Sequence, residues 1–243
     1  MREVVLVNGS GMRVAPFALS WLLLHPLAGD ATERWHTHGL LGYTTDYIDR
    51  GISQSDGHGS AHGEISWQHD HGFGVLLRAA SVDFGADDDA TAEVNLVAGV
   101  ERTVGQTLLA TSLAYVHFTG VSAGQNYDLV EISGDLVHEI RDWQVDLHAI
   151  YSPNESGHVG DAVYATAGLA YRLSGTVAAR LHGGYQWFSR EQDAGPAYYD
   201  WGIGVQWTYG RFVGGLAYTD TSLGSACVDI CDGRLALRLE ILF

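Results

Sequence analysis

The sequence predicts an all-β chain, a closed antiparallel transmembrane β-barrel of about 12 strands that follows an N-terminal signal peptide. Three observations predict it. Apolar and polar residues alternate with a period of two through most of the chain. The connections between those segments are short and long by turns. The two ends carry an apolar leader and a strand that finishes on Phe243. The composition agrees: 31 Gly, only 4 Pro and 11% aromatic residues form a β-rich vocabulary with small residues for turns and close backbone contacts.

The first element is the leader. Residues 12–31, MRVAPFALSWLLLHPLAGDA, place Arg13 before an apolar stretch to Leu24 and small residues around Ala28-Gly29. The stretch is too short to span a bilayer as a helix, and its small-residue end suits a signal peptidase. Residues 1–29 are therefore expected to be an upstream extension plus signal peptide, with the true start at Met12, and residues 30–243 the barrel. A short buried helix is the alternative.

The strands are expected at residues 37–50, 60–70, 73–84, 91–103, 107–118, 126–139, 142–152, 161–173, 176–188, 197–209, 211–220 and 233–243. The alternation is plainest in five of them. Ala92, Val94, Leu96, Ala98 and Val100 share one face, as do Trp143, Val145, Leu147, Ala149 and Tyr151. The same holds for Val163 to Leu173, for Val177 to Trp187 and for Tyr199 to Trp207. In the last strand Leu235, Leu237, Leu239, Ile241 and Phe243 oppose Arg234, Arg238 and Glu240. At ~3.3 Å per residue and a tilt near ~40°, eleven residues climb roughly 28 Å, the thickness of an apolar bilayer core.

Tight turns (DHG, VGQ, EIRD, LSG, YGR) alternate with longer polar loops (GISQSDGHG, GADDDA, GVSAGQN, NESGHVGDA, SREQDAGP, SLGSACVDICDG). A barrel with an even strand count puts every long loop at one end, whereas a soluble sandwich has no reason to do so. Closure satisfies each backbone N–H and C=O that lipid cannot. The apolar faces then turn outward, with Trp67, Trp143, Trp187, Trp201 and Trp207 in the interfacial girdles.

Residues 44–85, TTDYIDRGISQSDGHGSAHGEISWQHDHGFGVLLRAASVDFG, carry a further pattern. Its features are Asp46-Tyr47, Arg50-Gly51-Ile52-Ser53-Gln54, the Asp56-Gly57 turn, Gly63, His69, Gly72-Phe73, Ser81-Val82-Asp83-Phe84-Gly85 and then Glu93. In these the chain resembles the TorF family of outer-membrane porins. Asp49 stands where that family often has an aromatic residue, the first loop lacks a Pro, and Leu76-Leu77-Arg78 replaces a more aromatic run. The resemblance covers the first third specifically and implies a diffusion channel in a bacterial outer membrane; separately, no enzymatic activity and no cofactor are expected. Arg50, Gly51, Ser53, Gln54, Asp56 and Gly57 are expected to cross from the first strand to the second at the external rim, with Arg50 and Asp56 pinning the loop. Terminal Phe243 is similar to the end of barrels recognised by the assembly machinery.

The polar faces supply the candidate pore lining: Glu64, Arg78, Glu93, Glu131, Asp146, Arg172, Arg180, Asp200, Arg238 and Glu240, with Asp70, Glu101 and Asp135 on the same faces. Carboxylates outnumber guanidiniums, so an open water path would lean towards cations. A salt-bridged plug with no path is the alternative. The chain has 13 Lys+Arg against 29 Asp+Glu, a formal charge of −16, and every basic residue is Arg, which excludes a nucleic-acid surface. Small hydrophilic solutes, membrane lipid and lipopolysaccharide are the expected partners. Cys227 and Cys231 suggest a disulfide in an oxidising compartment. His36/His38 and His69/His71 have same-face spacing that suits a metal, but scattered rim histidines serve as well. The acidic run at 86–90 suits calcium or a solvated loop. Ser133 with His138, and Ser66 with His69, are serine–histidine pairings at chance level for a lipid-modifying enzyme, and no G-x-S-x-G elbow or phosphate loop is present. A porin-like channel is thus the first expectation, a non-conducting structural or adhesive barrel the second and a lipid-modifying enzyme the third.

Overall fold

The computed structural model describes residues 34–85, 89–123, 125–155, 160–227 and 229–243. The expected leader and much of the acidic run at 86–90 lie outside the described residues. The chain forms β1 (Trp35–Thr44), β2 (Ile48–Asp49), β3 (Ile52–Ser53), β4 (Ser60–His69), β5 (Phe73–Ser81), β6 (Ala92–Val104) and β7 (Thr107–Thr119). It continues with β8 (Leu129–Ile140), β9 (Trp143–Ser152), β10 (Ala162–Arg172), β11 (Val177–Phe188), β12 (Tyr198–Tyr209), β13 (Phe212–Thr221) and β14 (Arg234–Leu242). Twelve of these close an antiparallel barrel, and β2 and β3 form a separate two-residue hairpin. The seam pairs β1 with β14, with Leu40 opposite Leu242. Beyond it Gly39 and Phe243 exchange both backbone hydrogen bonds, at 2.8 and 3.0 Å.

The period of two fixes which side chain meets which medium. Leu41, Leu77, Leu96, Leu113, Leu147, Leu181 and Ile203 are exposed on the outer wall. Aromatic residues bracket this band. Towards the short-turn end lie Trp35, Phe73, the Trp143–Tyr171 pair (4.5 Å between ring centroids) and Phe212. Towards the long loops lie Tyr43, Tyr115, Tyr151 and the Tyr185–Tyr199 pair (4.6 Å). An apolar belt between two aromatic girdles is the outer surface a barrel needs in order to stand in lipid. The short turns are tight: Gly72 has φ +85°, and a Cβ there would sit 2.1 Å from the Glu101 carbonyl oxygen, so only glycine fits.

Three expected strands overran at the long-loop end, and all for one reason. The first ends at Thr44 rather than 50, the third at Ser81 rather than 84, and the sixth begins at Leu129 rather than 126. The β-like residues in the overrun, Tyr47, Val82, Phe84 and Tyr127, leave the wall and pack together with Val116 and Phe118 inside the mouth. Burial of apolar surface outweighs their local preference for an extended strand.

Candidate functional site

The lumen is organised by the connection between β1 and β4, residues 45–59, called loop 1. It was expected at the rim; instead it folds into the barrel and crosses it. Arg50 and Gly51 both have positive φ (47° and 81°) and close the β2–β3 hairpin in the manner of a type I′ turn. A Cβ on Gly51 would lie 2.5 Å from Thr221 Cγ2 and 2.8 Å from Asp200 Cβ, so the hairpin tip touches the opposite wall. The Arg50 guanidinium pairs with Glu131 on β8, donates to Gln186 Oε1 on β11 at 3.3 Å, and stands 3.8 Å from Glu155. It also lies 5.3 Å from the centroid of the Tyr164 ring. A forked cation can serve several acceptors at once, which makes arginine a suitable tip for a loop anchored across a polar lumen.

The base of loop 1 is held by Asp46, whose carboxylate accepts from Ser53 Oγ at 2.5 Å and Ser55 Oγ at 3.1 Å and pairs with Arg234 at 3.0 Å. Ser53 Oγ in turn accepts from the Gly57 N–H at 3.0 Å, with Asp56 and Gly57 both at positive φ. The Gln54 N–H donates to the Tyr47 carbonyl at 2.6 Å, tightening the loop upon itself. From outside, the Ser53 N–H donates to the Ile230 carbonyl at 2.9 Å, within the loop closed by the Cys227–Cys231 disulfide. Asp56, expected to pin the loop, shapes its turn; Asp46 does the pinning.

Loop 1 separates two unlike walls. From β9 round to β14 and on to β4 the charges are paired. Asp146 and Arg180 are 2.8 Å apart, and Asp200 accepts from the Tyr164 hydroxyl at 3.0 Å with His182 at 3.4 Å. Glu240 stands between His62 at 3.1 Å and Arg238 at 3.4 Å. Inward glycines seat these long side chains. A Cβ on Gly168 would be 2.4 Å from Asp146 Oδ2, and one on Gly184 would be 2.3 Å from Asp200 Oδ2 and from the Tyr164 hydroxyl.

The wall from β4 to β8 is different. Glu93 accepts from Asn95 at 2.6 Å and from the Tyr47 hydroxyl at 3.1 Å, so its hydrogen-bond partners are neutral. Glu64 stands opposite Arg78 in the β4–β5 register, and Arg78 lies 5.4 Å from the centroid of the Tyr47 ring. Between this wall and loop 1 is a cavity of about 530 Å³. At the short-turn end Glu101 accepts from Gln68 at 2.8 Å, and Asp135 pairs with His148.

All ten candidate lining residues have the inward register of their strands: Glu64, Arg78, Glu93, Glu131, Asp146, Arg172, Arg180, Asp200, Arg238 and Glu240. Arg172 is at the short-turn mouth, 3.5 Å from Asp142 across the turn. Asp70 does not face the lumen. It is exposed on the β4–β5 turn, where the His36 ring at 2.8 Å and the Arg34 backbone N–H hold its carboxyl below the usual carboxylate range. His36 is thus bound to a carboxylate, and among the described residues no group of three or more His, Cys, Asp or Glu is arranged to hold a metal ion. Ser133 Oγ bonds Ser112 Oγ at 2.8 Å while His138 bonds Thr107, so that pairing is not assembled. Ser66 is buried in the inward register and His69, one face over, packs on Trp35 with ring centroids 5.1 Å apart. Sequence reasoning passed over Tyr47, Tyr164, Gln186, His62, His148 and His182. The three histidines and the glutamine among them share the strand parity of neighbouring charged residues, which was the available signal.

A family model described as a bacterial protein of unknown function (Gcw_chp) matches residues 30–232. The barrel is similar to the NanC porin, with 8% identity, TM-score 0.57, and coverage of 86% of this chain and 99% of that one. It is similar to the KdgM porin in complex with disordered oligogalacturonate, with 8% identity, TM-score 0.56, and coverage of 86% and 98%. It is also similar to an outer membrane channel from Pseudomonas putida F1, with 13% identity, TM-score 0.56, and coverage of 90% and 100%. At such identities the likeness is one of fold. No curated protein sequence matches the chain.

Proposed function

The chain belongs to that bacterial family, whose description leaves its function open, and we propose that it is a porin-like channel of the outer membrane, admitting small hydrophilic solutes or ions by passive diffusion with a preference for cations. The observation that carries this reading is the cavity beside loop 1, lined by Glu64, Glu93, Glu131 and Asp49 inside a wall whose outer face is apolar. Lipid stabilises the outer face, and the polar inner face favours water. Solutes enter at the long-loop end, pass between the hairpin and the β4–β8 wall, and leave past Glu101 and Gln68. Carboxylates along that route replace part of a cation's hydration and repel anions.

The finer likeness to the TorF porins rests on Arg50, Gly51, Ser53, Gln54, Asp56 and Gly57, all of which serve the inward loop. Membrane lipid faces the girdles, lipopolysaccharide the long-loop end, and β14 with Phe243 is the segment offered to the assembly machinery. The same hairpin supports a second reading, a barrel closed by its own loop that acts as a structural or adhesive protein. Single-channel recording in planar bilayers separates the two. Discrete current steps support the channel, and folded protein that never opens them would remove it.

A further inference from the structure

The geometry points to a binding site for small organic ammonium solutes in the cavity between loop 1 and the wall from β4 to β9. This deepens the channel reading and takes its transport sense from it. The cavity, about 530 Å³, is within the range of sites that enclose a small molecule. Its lining holds five carboxylates, of Asp49, Glu64, Glu93, Glu131 and Glu155, against the guanidiniums of Arg50 and Arg78. Arg50 is shared among Glu131, Asp49 at 3.5 Å and Glu155 at 3.8 Å, and Arg78 stands opposite Glu64 with the Tyr47 ring beside it, so two guanidiniums serve five carboxylates. Counted as ionised, the carboxylates exceed the guanidiniums by three.

Two further groups give the ligand its chemistry. His148 is 7% exposed and its Nδ1 is bound to Asp135, which leaves Nε2 as an acceptor in the neutral ring. That Nε2 has no hydrogen-bond partner among the described residues. Asn95 gives its amide N–H to Glu93 at 2.6 Å, and its Oδ1 is likewise an acceptor without a partner among the described residues. Buried acceptors of this kind are satisfied by a donor-rich cation. One buried donor, Gln186 Nε2, also lacks a partner there and suits a hydroxyl or ether oxygen on the same solute.

The ligand is organic because one end of the cavity is apolar. Phe84, Phe118 and Tyr127 face one another with ring centroids 5.5 to 6.2 Å apart. The register sets the order of groups from this mouth inwards. Asn95 pairs with Val116, one inward step below Phe118, and Glu131 with Ala114, two steps below. His148 is level with Asp135, deeper still. A solute with an apolar body and an ammonium head fits with its body among the rings and its head among the acceptors, where aromatic faces add cation–π attraction.

The test is a calorimetric titration of the detergent-folded full chain with benzylammonium, methylammonium and benzoate. Benzylammonium is expected to saturate one site with an affinity about tenfold or more above that of the other two. Glu93→Gln and Phe118→Ala, each checked for retained heat-modifiable migration, are each expected to lower that affinity by about tenfold. Equal affinity for all three probes, or benzylammonium binding that neither variant changes, would overturn the site. Selective binding by a barrel that opens no currents keeps the site and contradicts the channel reading; currents without selective binding do the reverse.

Discussion

The two walls of the lumen are built from the same residue types to opposite ends. On the β9–β14 side the inward carboxylates Asp146, Asp200 and Glu240 each meet an arginine, a hydroxyl or a histidine ring within 3.1 Å, and Asp146 is 0% exposed. On the β4–β8 side Glu64 stands opposite Arg78, Glu93 accepts only from the neutral Asn95 and Tyr47, and a cavity remains. The difference comes from size as well as charge. Gly168, Gly184 and Gly202 make room for long side chains to lie flat and pair on one side. Leu76, Val97 and Ala114 line the other and offer no counter-charge. Pairing fills a lumen, and a surplus of one sign keeps a route for mobile ions.

The contrast depends first on Arg50, the cation that spans from one wall to the other. Arg50→Ala leaves Glu131 and Glu155 without their guanidinium and is expected to unseat the loop tip by about 3–5 kcal/mol. Single-channel conductance should rise and cation preference should strengthen; unchanged conductance would mean the hairpin does not limit the path. The paired wall is tested next by packing. Gly168→Val drives a side chain into Asp146 and Arg180 and should cost about 1–3 kcal/mol. Gly134, with nothing within 4 Å of its Cβ position, is the control. Thermal melting in detergent, followed by electrophoretic mobility, should fall for the first valine variant and hold for the second.

Replacing Cys227 and Cys231 by Ser opens a short covalent loop, an effect of about 2 kcal/mol. It should appear as added flicker in the open current, because Ile230 in that loop holds Ser53 of the hairpin. Equal noise before and after would separate the disulfide from the hairpin. The smallest expected change comes from single charges. Glu64→Gln should move the reversal potential towards neutrality, while Asp146→Asn combined with Arg180→Gln should leave it in place, since that pair cancels.

The barrel was legible in the sequence because its signals are local. Alternation, turn length and girdle aromatics are each read within a dozen residues, and they gave the strand number, the outward faces and the sorting of loops. The path of loop 1 was not. Its anchors lie 81 and 136 residues away, at Glu131 and Gln186, and nothing near Arg50 announces them. The sequence likewise ranks Asp146 with Glu131 as equal lining residues, although the first is sealed in an ion pair on β9 and the second meets the loop tip. Glycine was read as a turn and close-contact residue; its role as a seat for a neighbour's long side chain depends on cross-strand register. Asp70 had the lumen parity but fell past the end of β4, where parity no longer assigns a face.

The most direct measurement is the reversal potential of the purified, bilayer-reconstituted chain across a tenfold gradient of potassium chloride. A potential of the cation-preferring sign is expected, set by the excess of carboxylates over guanidiniums beside the hairpin. A value at zero, or of the anion-preferring sign, would contradict the assignment of the conducting route to the β4–β8 wall.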